Sequence, residues 1–218
     1  MDLLEATFRP LVRRSLRRAL RGLWLRGVWP LGGAVLAANH HSWWDGYLAG
    51  ELAWAHCRPP AVLMDDAQLT RFAFFRHLGA LGTRELRPAL RRLRAGQALV
   101  IYPEGRLRPP APVSDLRPGA AWLAERADVP LLPLAVRVVM RGHEAPEAYA
   151  WIGPPSSGPQ LEADLNRLLG ELDHALGVHD PERPLPGFDR VMRGRASTSE
   201  RLGGPSRLLL RLTGEEGR

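Results

Sequence analysis

Short apolar runs that alternate with helical patterns constrain the fold of this chain more than any other feature of its sequence. The runs have the length of buried β-strands, and the segments between them repeat apolar residues at helical spacing. The predicted strands are residues 34–38, 61–64, 98–102, 131–140 and 148–152. The predicted helices are residues 42–53, 66–78, 87–95, 119–127 and 161–176. This alternation predicts an α/β fold, a single domain whose mostly parallel or mixed central sheet is flanked by helices.

The two ends of the chain depart from this alternation. Residues 1–28 are predicted to form a basic amphipathic helix, residues 29–178 the main domain, and residues 179–218, which are rich in Pro, Gly, Arg and Ser, a C-terminal tail. In the N-terminal segment, arginines recur on one side of the predicted helix and apolar side chains on the other. Such a helix suits the headgroup region of a membrane. The alternative is a surface helix that packs on the core and leaves its arginines in water.

The charge balance indicates an anionic partner. The chain has 30 basic and 23 acidic residues, a net charge of +7, and all 30 basic residues are arginines. Such a surface attracts nucleic acid, an anionic membrane or a phosphorylated substrate, and the arginine guanidinium binds phosphate through two parallel hydrogen bonds. No apolar run is long enough to predict a transmembrane helix. The single cysteine, Cys57, excludes an internal disulfide.

Two polar clusters follow predicted strands directly. The first is Asn-His-His-Ser-Trp-Trp-Asp at residues 39–45, and the second is Pro-Glu-Gly-Arg at residues 103–106. In a parallel α/β sheet, the loops at the carboxyl ends of the strands line the ligand crevice. We therefore expect His40, Asp45 and Glu104 to approach one another at one edge of the sheet.

His40 and Asp45 have the chemistry of a general base and of the carboxylate that orients it. On one continuous helix, residues five apart are about 140° out of phase, so the two side chains meet only if His40 lies in the loop and Asp45 in the first helical turn. The predicted strand-loop-helix order supplies that arrangement. No nucleophile-elbow serine or cysteine accompanies the pair, which favours activation of a hydroxyl group on the substrate.

Two other interpretations of these residues stay open. The segment from Ser42 to Asp45 also has the pattern of a helix capping box, in which case His40 and His41 are ordinary loop residues. A metal site that adds Glu104 to these side chains is the other. Adjacent histidines usually point apart, and no further ligand pattern is present, so we expect no metal.

The same residues resemble the motifs of the glycerolipid acyltransferase family, which includes the bacterial lysophosphatidate acyltransferases. Residues 39–45 match its first motif, Asn-His-x-Ser-x-x-Asp, and residues 102–105 are similar to Phe-Pro-Glu-Gly, the start of its third. The continuation, Thr-Arg-Ser in the family, is replaced by Arg-Leu-Arg at residues 106–108. Residues 129–134 resemble its Val-Pro-Ile-x-Pro-Val, and residues 116–120 resemble Phe-Lys-x-Gly-Ala with arginine in place of lysine.

The second motif of the family is matched less closely. It runs from a glycine to an arginine six residues later, whereas Gly79 and Arg84 are five residues apart. Arg87 is the alternative match. The resemblance covers roughly residues 30–155, which is about the whole predicted core.

The resemblance implies transfer of a fatty acyl group from acyl-CoA or acyl carrier protein to a hydroxyl of a lysophospholipid, with 1-acylglycerol-3-phosphate as the leading acceptor and phosphatidate as the product. His40 would take the proton of that hydroxyl, and Asp45 would orient His40. The implied substrate-binding residues are Asn39, Ser42, Arg84, Glu104, Gly105 and Arg106, with the two arginines on the phosphate. No cofactor is expected, because the acyl thioester is itself a substrate.

The resemblance also favours a membrane contact by the N-terminal helix, with the protein held peripherally on the cytoplasmic side. Two alternatives remain. The acceptor could be another membrane alcohol, such as a glycolipid or a lyso-aminolipid. The chain could also be a non-catalytic basic module that binds RNA or membranes, although no nucleic-acid recognition motif is present and we expect no nucleic-acid partner.

Overall fold

A mixed β-sheet forms the centre of the structure, a computed structural model that describes residues 3–198 and 200–202. Within those residues the sheet has eight strands, in the order β4-β3-β5-β2-β6-β7-β1-β8. The strands are β1 (Gly22–Arg26), β2 (Ala34–Ala38), β3 (Val62–Met64), β4 (Ala80–Gly82), β5 (Ala98–Ile101), β6 (Leu131–Val139), β7 (Glu147–Ile152) and β8 (Asp189–Arg193). The helices are α1 (Leu3–Ala19), α2 (Asp45–Ala55), α3 (Asp66–Arg71), α4 (Leu86–Arg94), α5 (Gly119–Ala127) and α6 (Leu161–Val178), with 3-10 turns at Ala73–Leu78 and Gly158–Gln160.

The five strands from β4 to β6 are parallel, whereas β7 runs antiparallel to β6 and β8 antiparallel to β1. The predicted α/β class with a mixed sheet is therefore confirmed. Because β2 and β5 are parallel neighbours, the two polar clusters that follow them leave the sheet at the same edge.

Helices cover both faces of the sheet because the strand residues alternate in direction. On β2, Leu36 belongs to the core cluster that α1 and α2 complete, whereas Val35 packs in the cluster that contains Leu93 of α4 and Leu123 of α5. Helix α6 covers the second face farther along, against β6 and β7. The result is a three-layer arrangement in which α2 starts directly behind the end of β2.

The structure corrects the predicted ends of the domain. The N-terminal helix stops at Ala19, and residues 22–26, predicted as helix, form β1 inside the sheet. The helix ends three residues before Gly22, and Leu23, Trp24 and Leu25 are buried between β7 and β8. Residues 189–193, predicted as tail, form the edge strand β8. Of the predicted tail, residue 199 and residues 203–218 lie outside the described residues.

The apolar side of α1 faces the protein core. Val12, Leu16 and Leu20 are buried with the first core cluster, and Arg13 donates two hydrogen bonds, of 2.7 and 3.1 Å, to Glu51 Oε1. This packing supports the alternative of a surface helix, and contact of α1 with a membrane stays a prediction. No helix among the described residues is long and apolar enough to cross a membrane.

Candidate active site

The loop between β2 and α2 begins with a buried asparagine that holds it against β6. Asn39 Nδ2 donates to the carbonyl of Val136 at 3.1 Å, and Asn39 Oδ1 accepts from the Val136 amide at 2.8 Å. Strand β2 stops pairing with β6 at Ala38 and Leu134. The side chain of Asn39 therefore continues the hydrogen bonding of β6 after the strand ends, and the next residues are free to turn over the sheet edge.

His40 and Asp45 meet in the loop-to-helix geometry that their spacing requires. His40 Nδ1 lies 2.8 Å from Asp45 Oδ2, and the Asp45 side chain is fully buried at the first residue of α2. The same oxygen accepts from the main-chain amides of His41 at 2.8 Å and Ser42 at 2.9 Å. The carboxylate therefore has a fixed position before any substrate binds.

The capping-box interpretation describes part of the same geometry. Asp45 reaches back to the amide of Ser42, as the box requires, but Ser42 Oγ accepts from Trp44 rather than from Asp45. Helix α2 begins at Asp45, and its N-cap residue, Trp44, makes no side-chain capping hydrogen bond. Asp45 therefore holds the loop and His40 rather than capping the helix.

The second polar cluster supports the first from β5. Glu104 is buried, and its Oε2 accepts from the main-chain amide of His40 at 2.9 Å. The His40 ring stacks on Tyr102 with a centroid distance of 4.4 Å. The amide of Arg108 donates to the carbonyl of His40 at 2.8 Å. Residues 102–108 thus bond to the main-chain amide and carbonyl of His40 and contact one face of its ring.

His40 lines a cleft of about 650 Å³ whose walls are mainly apolar. A carboxylate holds Nδ1 of His40, and about a quarter of the side chain is exposed, so Nε2 is the nitrogen that can reach a ligand in the cleft. The apolar wall includes Val12, Tyr47, Trp54, Phe72, Phe75, Leu78, Ile101 and Leu123. A basic nitrogen beside a long apolar cleft suits proton removal from an amphipathic substrate.

Two arginines line the cleft close to the histidine loop, which is residues 39–44 between β2 and α2. Arg106 and Arg117 both contribute to its wall, both are exposed, and neither forms an ion pair with another described residue. Gly105 lies between the histidine loop and Arg117, with φ at +67°, and a Cβ atom there would lie 2.6 Å from Cζ of Arg117. Glycine at this position therefore permits both the turn and the close approach of the guanidinium.

The structure does not bring Arg84 into the cleft. Its side chain is 93% exposed, its nearest carboxylate is Asp66 at 3.9 Å, and Thr83 and Leu86 line the wall in its place. Arg87 is also exposed and outside the cleft. The short spacing of the second motif places Arg84 after the end of β4, where it points to solvent rather than to His40.

Three other predicted binding residues are engaged by the protein itself. The amide group of Asn39 bonds to β6, the hydroxyl of Ser42 accepts from Trp44, and Glu104 bonds to the backbone of His40. None of the three lines the cleft, whereas Gly105 and Arg106 do. The first group shapes the loops, and the second group is left to contact a ligand.

Sequence reasoning missed several contributors to the site. Tyr102 supplies the ring under His40, and burial raises its pKa well above the ordinary value, with the Asp45 charge adding to the effect, so the phenol stays neutral. Arg108 ties two loops together, and Arg117 supplies a cationic wall. The signal for Arg117 was present in its replacement of the lysine in Phe-Lys-x-Gly-Ala. No signal marked Arg108, because its role depends on a main-chain contact.

The metal interpretation finds no support in the arrangement of ligands. Among residues 3–198 and 200–202, no group of three or more histidine, cysteine, aspartate or glutamate side chains could hold a metal ion. The ring of His41 turns away from that of His40 and meets the backbone of β6, where Nε2 lies 3.1 Å from the amide nitrogen of Val138.

The chain is similar to a solved structure in fold and to a protein family in sequence. The crystal structure of the 1-acyl-sn-glycerophosphate acyltransferase PlsC from Thermotoga maritima is similar, with a TM-score of 0.58 and 17% identity over 78% of this chain and 79% of that chain. At this identity the likeness shows a shared fold. No curated protein matches the chain in sequence. A family model for acyltransferases matches residues 25–137, more than half of the chain, including both polar clusters. The chain therefore belongs to the acyltransferase family and is an acyltransferase enzyme.

Proposed function

We propose that this enzyme transfers a fatty acyl group from an acyl thioester to the hydroxyl of a lysophospholipid, with 1-acylglycerol-3-phosphate as the preferred acceptor and phosphatidate as the product. The observation that carries the proposal is the His40–Asp45 pair at a mainly apolar cleft that also holds Arg106 and Arg117. A lysophosphatidate has one group for each part of this site: a hydroxyl, an acyl chain and a phosphate.

The proposed reaction uses His40 as base and then as acid. His40 Nε2 takes the proton of the acceptor hydroxyl, while the hydroxyl oxygen attacks the carbonyl carbon of the thioester. Asp45 holds Nδ1–H and stabilises the imidazolium that forms. Collapse of the tetrahedral intermediate breaks the carbon–sulfur bond, and the imidazolium returns the proton to the leaving thiolate. An ester and a free thiol result, and no group of the protein becomes acylated.

The phosphate of the acceptor is assigned to Arg106 and Arg117 rather than to Arg84. Guanidinium groups bind phosphate with paired hydrogen bonds, and neither of these two cleft-lining arginines is ion-paired with a carboxylate of the described residues. A glycolipid or a lyso-aminolipid would leave both cations without an anionic partner. The two arginines therefore favour the phosphate-bearing acceptor among the possible membrane alcohols.

The donor is proposed to be acyl-CoA or acyl carrier protein, since both present the acyl group as a thioester. Because the thiol leaves with the proton from His40, the proposed chemistry needs no cofactor. The apolar walls of the cleft provide room for acyl chains, which gain about 0.8 kcal/mol for each methylene buried.

We further propose that the enzyme binds the cytoplasmic face of a membrane peripherally, through charge. The exposed side of α1 carries Arg14, Arg17 and Arg18, which line a shallow groove. Each arginine near an anionic surface contributes about 1 kcal/mol. Replacing these three with glutamine should reduce sedimentation with vesicles that contain phosphatidylglycerol. The same change at Arg91, Arg126 and Arg167, on the helices of the opposite face, is the control of equal charge and should have little effect.

The experiment that tests the proposed reaction supplies a long-chain acyl thioester together with one acceptor at a time. Thiol release is followed continuously, and the lipid product is identified by mass spectrometry. We expect release with 1-acylglycerol-3-phosphate and at least tenfold less with glycolipid or lyso-aminolipid acceptors. Preference for a phosphate-free acceptor would refute the assignment of the acceptor, and absence of thiol release with every lipid would refute the proposed reaction.

A further inference from the structure

His41 is buried beside the catalytic pair and does not line the cleft. Its side chain is only 5% exposed, and its ring contacts β6 on one side and Asn39 on the other. It therefore cannot touch a substrate in the cleft. A histidine buried beside a carboxylate loses its hydrogen bonds to water, and hydrogen bonds within the protein must replace them.

The contact of the ring with β6 favours one neutral form. The main-chain amide of Val138 can only donate, and it lies 3.1 Å from Nε2, so Nε2 must accept. The proton is then on Nδ1. That nitrogen faces Asp45 Oδ1 at 3.9 Å, a buried oxygen that has no hydrogen bond to any described residue. Asn39 Nδ2 lies 3.2 Å from Nδ1 and has two protons, of which one goes to the Val136 carbonyl and the other faces the ring. A neutral imidazole accepts at one nitrogen only, and the contact with Val138, at 3.1 Å, is the shorter of the two. The opposite form would accept from Asn39, but it would set two donors together at Val138 and place a lone pair toward the carboxylate.

His41 and Asn39 together replace a missing strand segment. Strand β2 ends at Ala38, and β6 continues for five residues beyond the last pair, to Val139. On that side the amides of Val136 and Val138 are satisfied by the side chains of Asn39 and His41, respectively. The loop that carries His40 is thus fastened to β6 at two alternate residues, on either side of His40 itself.

We propose that His41 is a positioning residue that holds the β2–α2 loop on β6 in its neutral form and so keeps Asp45, and through it His40, in the productive geometry. The proposal rests on the proposed role of His40. Its mechanical part follows from the two fastening points alone. The amide of His41 also donates to Asp45 Oδ2, so displacement of His41 moves a direct partner of the carboxylate.

The charge environment agrees with a neutral ring. Burial lowers the pKa of His41 and outweighs the opposing charge of Asp45, while Arg137 and His40 lower it further and Asp173 raises it. Protonation would turn Nε2 into a donor that faces the Val138 amide. The neutral form is therefore the one in which the loop is fastened to β6.

The test compares two substitutions in the full-length enzyme. In His41→Gln, the side-chain oxygen can reach the position of Nε2 and accept from Val138, whereas His41→Leu removes the acceptor and keeps an apolar side chain. We expect kcat of the leucine variant to fall about 10- to 100-fold with KM for the thioester within a factor of two, because a displaced base slows chemistry rather than binding. The glutamine variant should recover most of the loss.

Amide hydrogen exchange provides a readout that does not depend on the acceptor. Protection of the Val138 amide should be lost in His41→Leu and kept in His41→Gln, and both proteins should keep the thermal unfolding midpoint of a folded domain. Equal kcat losses in the two variants, or unchanged Val138 protection in the leucine variant, would overturn the positioning role. Failure of wild-type thiol release would refute the proposed reaction and leave the exchange result as the measure of this inference.

Discussion

Two turns from strand to helix lie at the same edge of the sheet, and they differ in where they direct their polar side chains. The turn between β2 and α2 places Asp45 under three hydrogen bonds and fastens its loop to β5 and β6. The turn between β4 and α4 carries Arg84, whose side chain is almost fully exposed. Its carboxylate neighbour, Asp66, lies at 3.9 Å, the long end of an ion-pair distance. A matching residue type at the right edge of the sheet is therefore not sufficient for a site. The side chain must also be directed into the cleft by contacts that exclude other positions.

The largest effect is expected for His40→Ala, which removes the base from the turn between β2 and α2. The rate of thiol release should fall by at least about 1000-fold, because general-base catalysis and alignment of the hydroxyl are lost together. Steady-state kinetics and circular dichroism would measure activity and fold. His174→Ala, at an exposed histidine of α6, is the matched control and should be silent. Comparable losses in both variants would show that the histidine loop is not the centre of the chemistry.

A smaller loss is expected for Asp45→Asn, which keeps the shape of the side chain and removes its charge. The imidazolium of His40 then lacks its counter-ion, and kcat should fall about 100-fold or more. The amides of His41 and Ser42 can still bond to the side-chain oxygen, so the folded state should persist. A kcat within a factor of three of wild type, measured at saturating substrate, would contradict the role of the buried carboxylate.

Arg117→Gln tests whether the phosphate site belongs to the cleft wall. Loss of the guanidinium should raise KM for 1-acylglycerol-3-phosphate about tenfold and leave kcat within a factor of three, since a charged hydrogen bond contributes roughly 1.5–3 kcal/mol. The matched control is Arg126→Gln on the outer surface of α5. If both variants keep the wild-type KM, the phosphate is bound elsewhere.

The smallest effect is expected for Arg84→Gln, because that side chain is almost fully exposed. An exposed ion pair contributes at most about 1 kcal/mol, and the side chain does not line the cleft. KM for the phosphate-bearing acceptor should change less than twofold in the same assay. A tenfold rise would mean that the turn between β4 and α4 closes over the ligand, and it would reverse the comparison between the two turns.

The strands with the strongest apolar runs were predicted almost to the residue, including β2 and β5, and so was the edge at which the polar clusters meet. Strand β1 was missed because Leu20 and Leu23 continue the apolar spacing of α1, and β8 because Asp-Arg-Val-Met-Arg has the composition of a tail. Strand β4 was missed because it has only three residues. In each case burial by neighbouring strands decides the conformation, and local sequence carries little of that information.

The sequence by itself determined the chemistry available, a histidine and a carboxylate. Their spacing lets the two side chains meet only if the histidine lies in a loop and the carboxylate in the first helical turn. It also determined the order of five strands, β2, β3, β5, β6 and β7, and of the helices between them, because apolar periodicity follows from which faces are buried. The tertiary structure alone decided which polar residues face a ligand. Asn39, Glu104 and His41 are consumed by main-chain hydrogen bonds, whereas Arg106 and Arg117 line the cleft. It also placed the apolar side of α1 against the core, because burial removes that apolar surface from water.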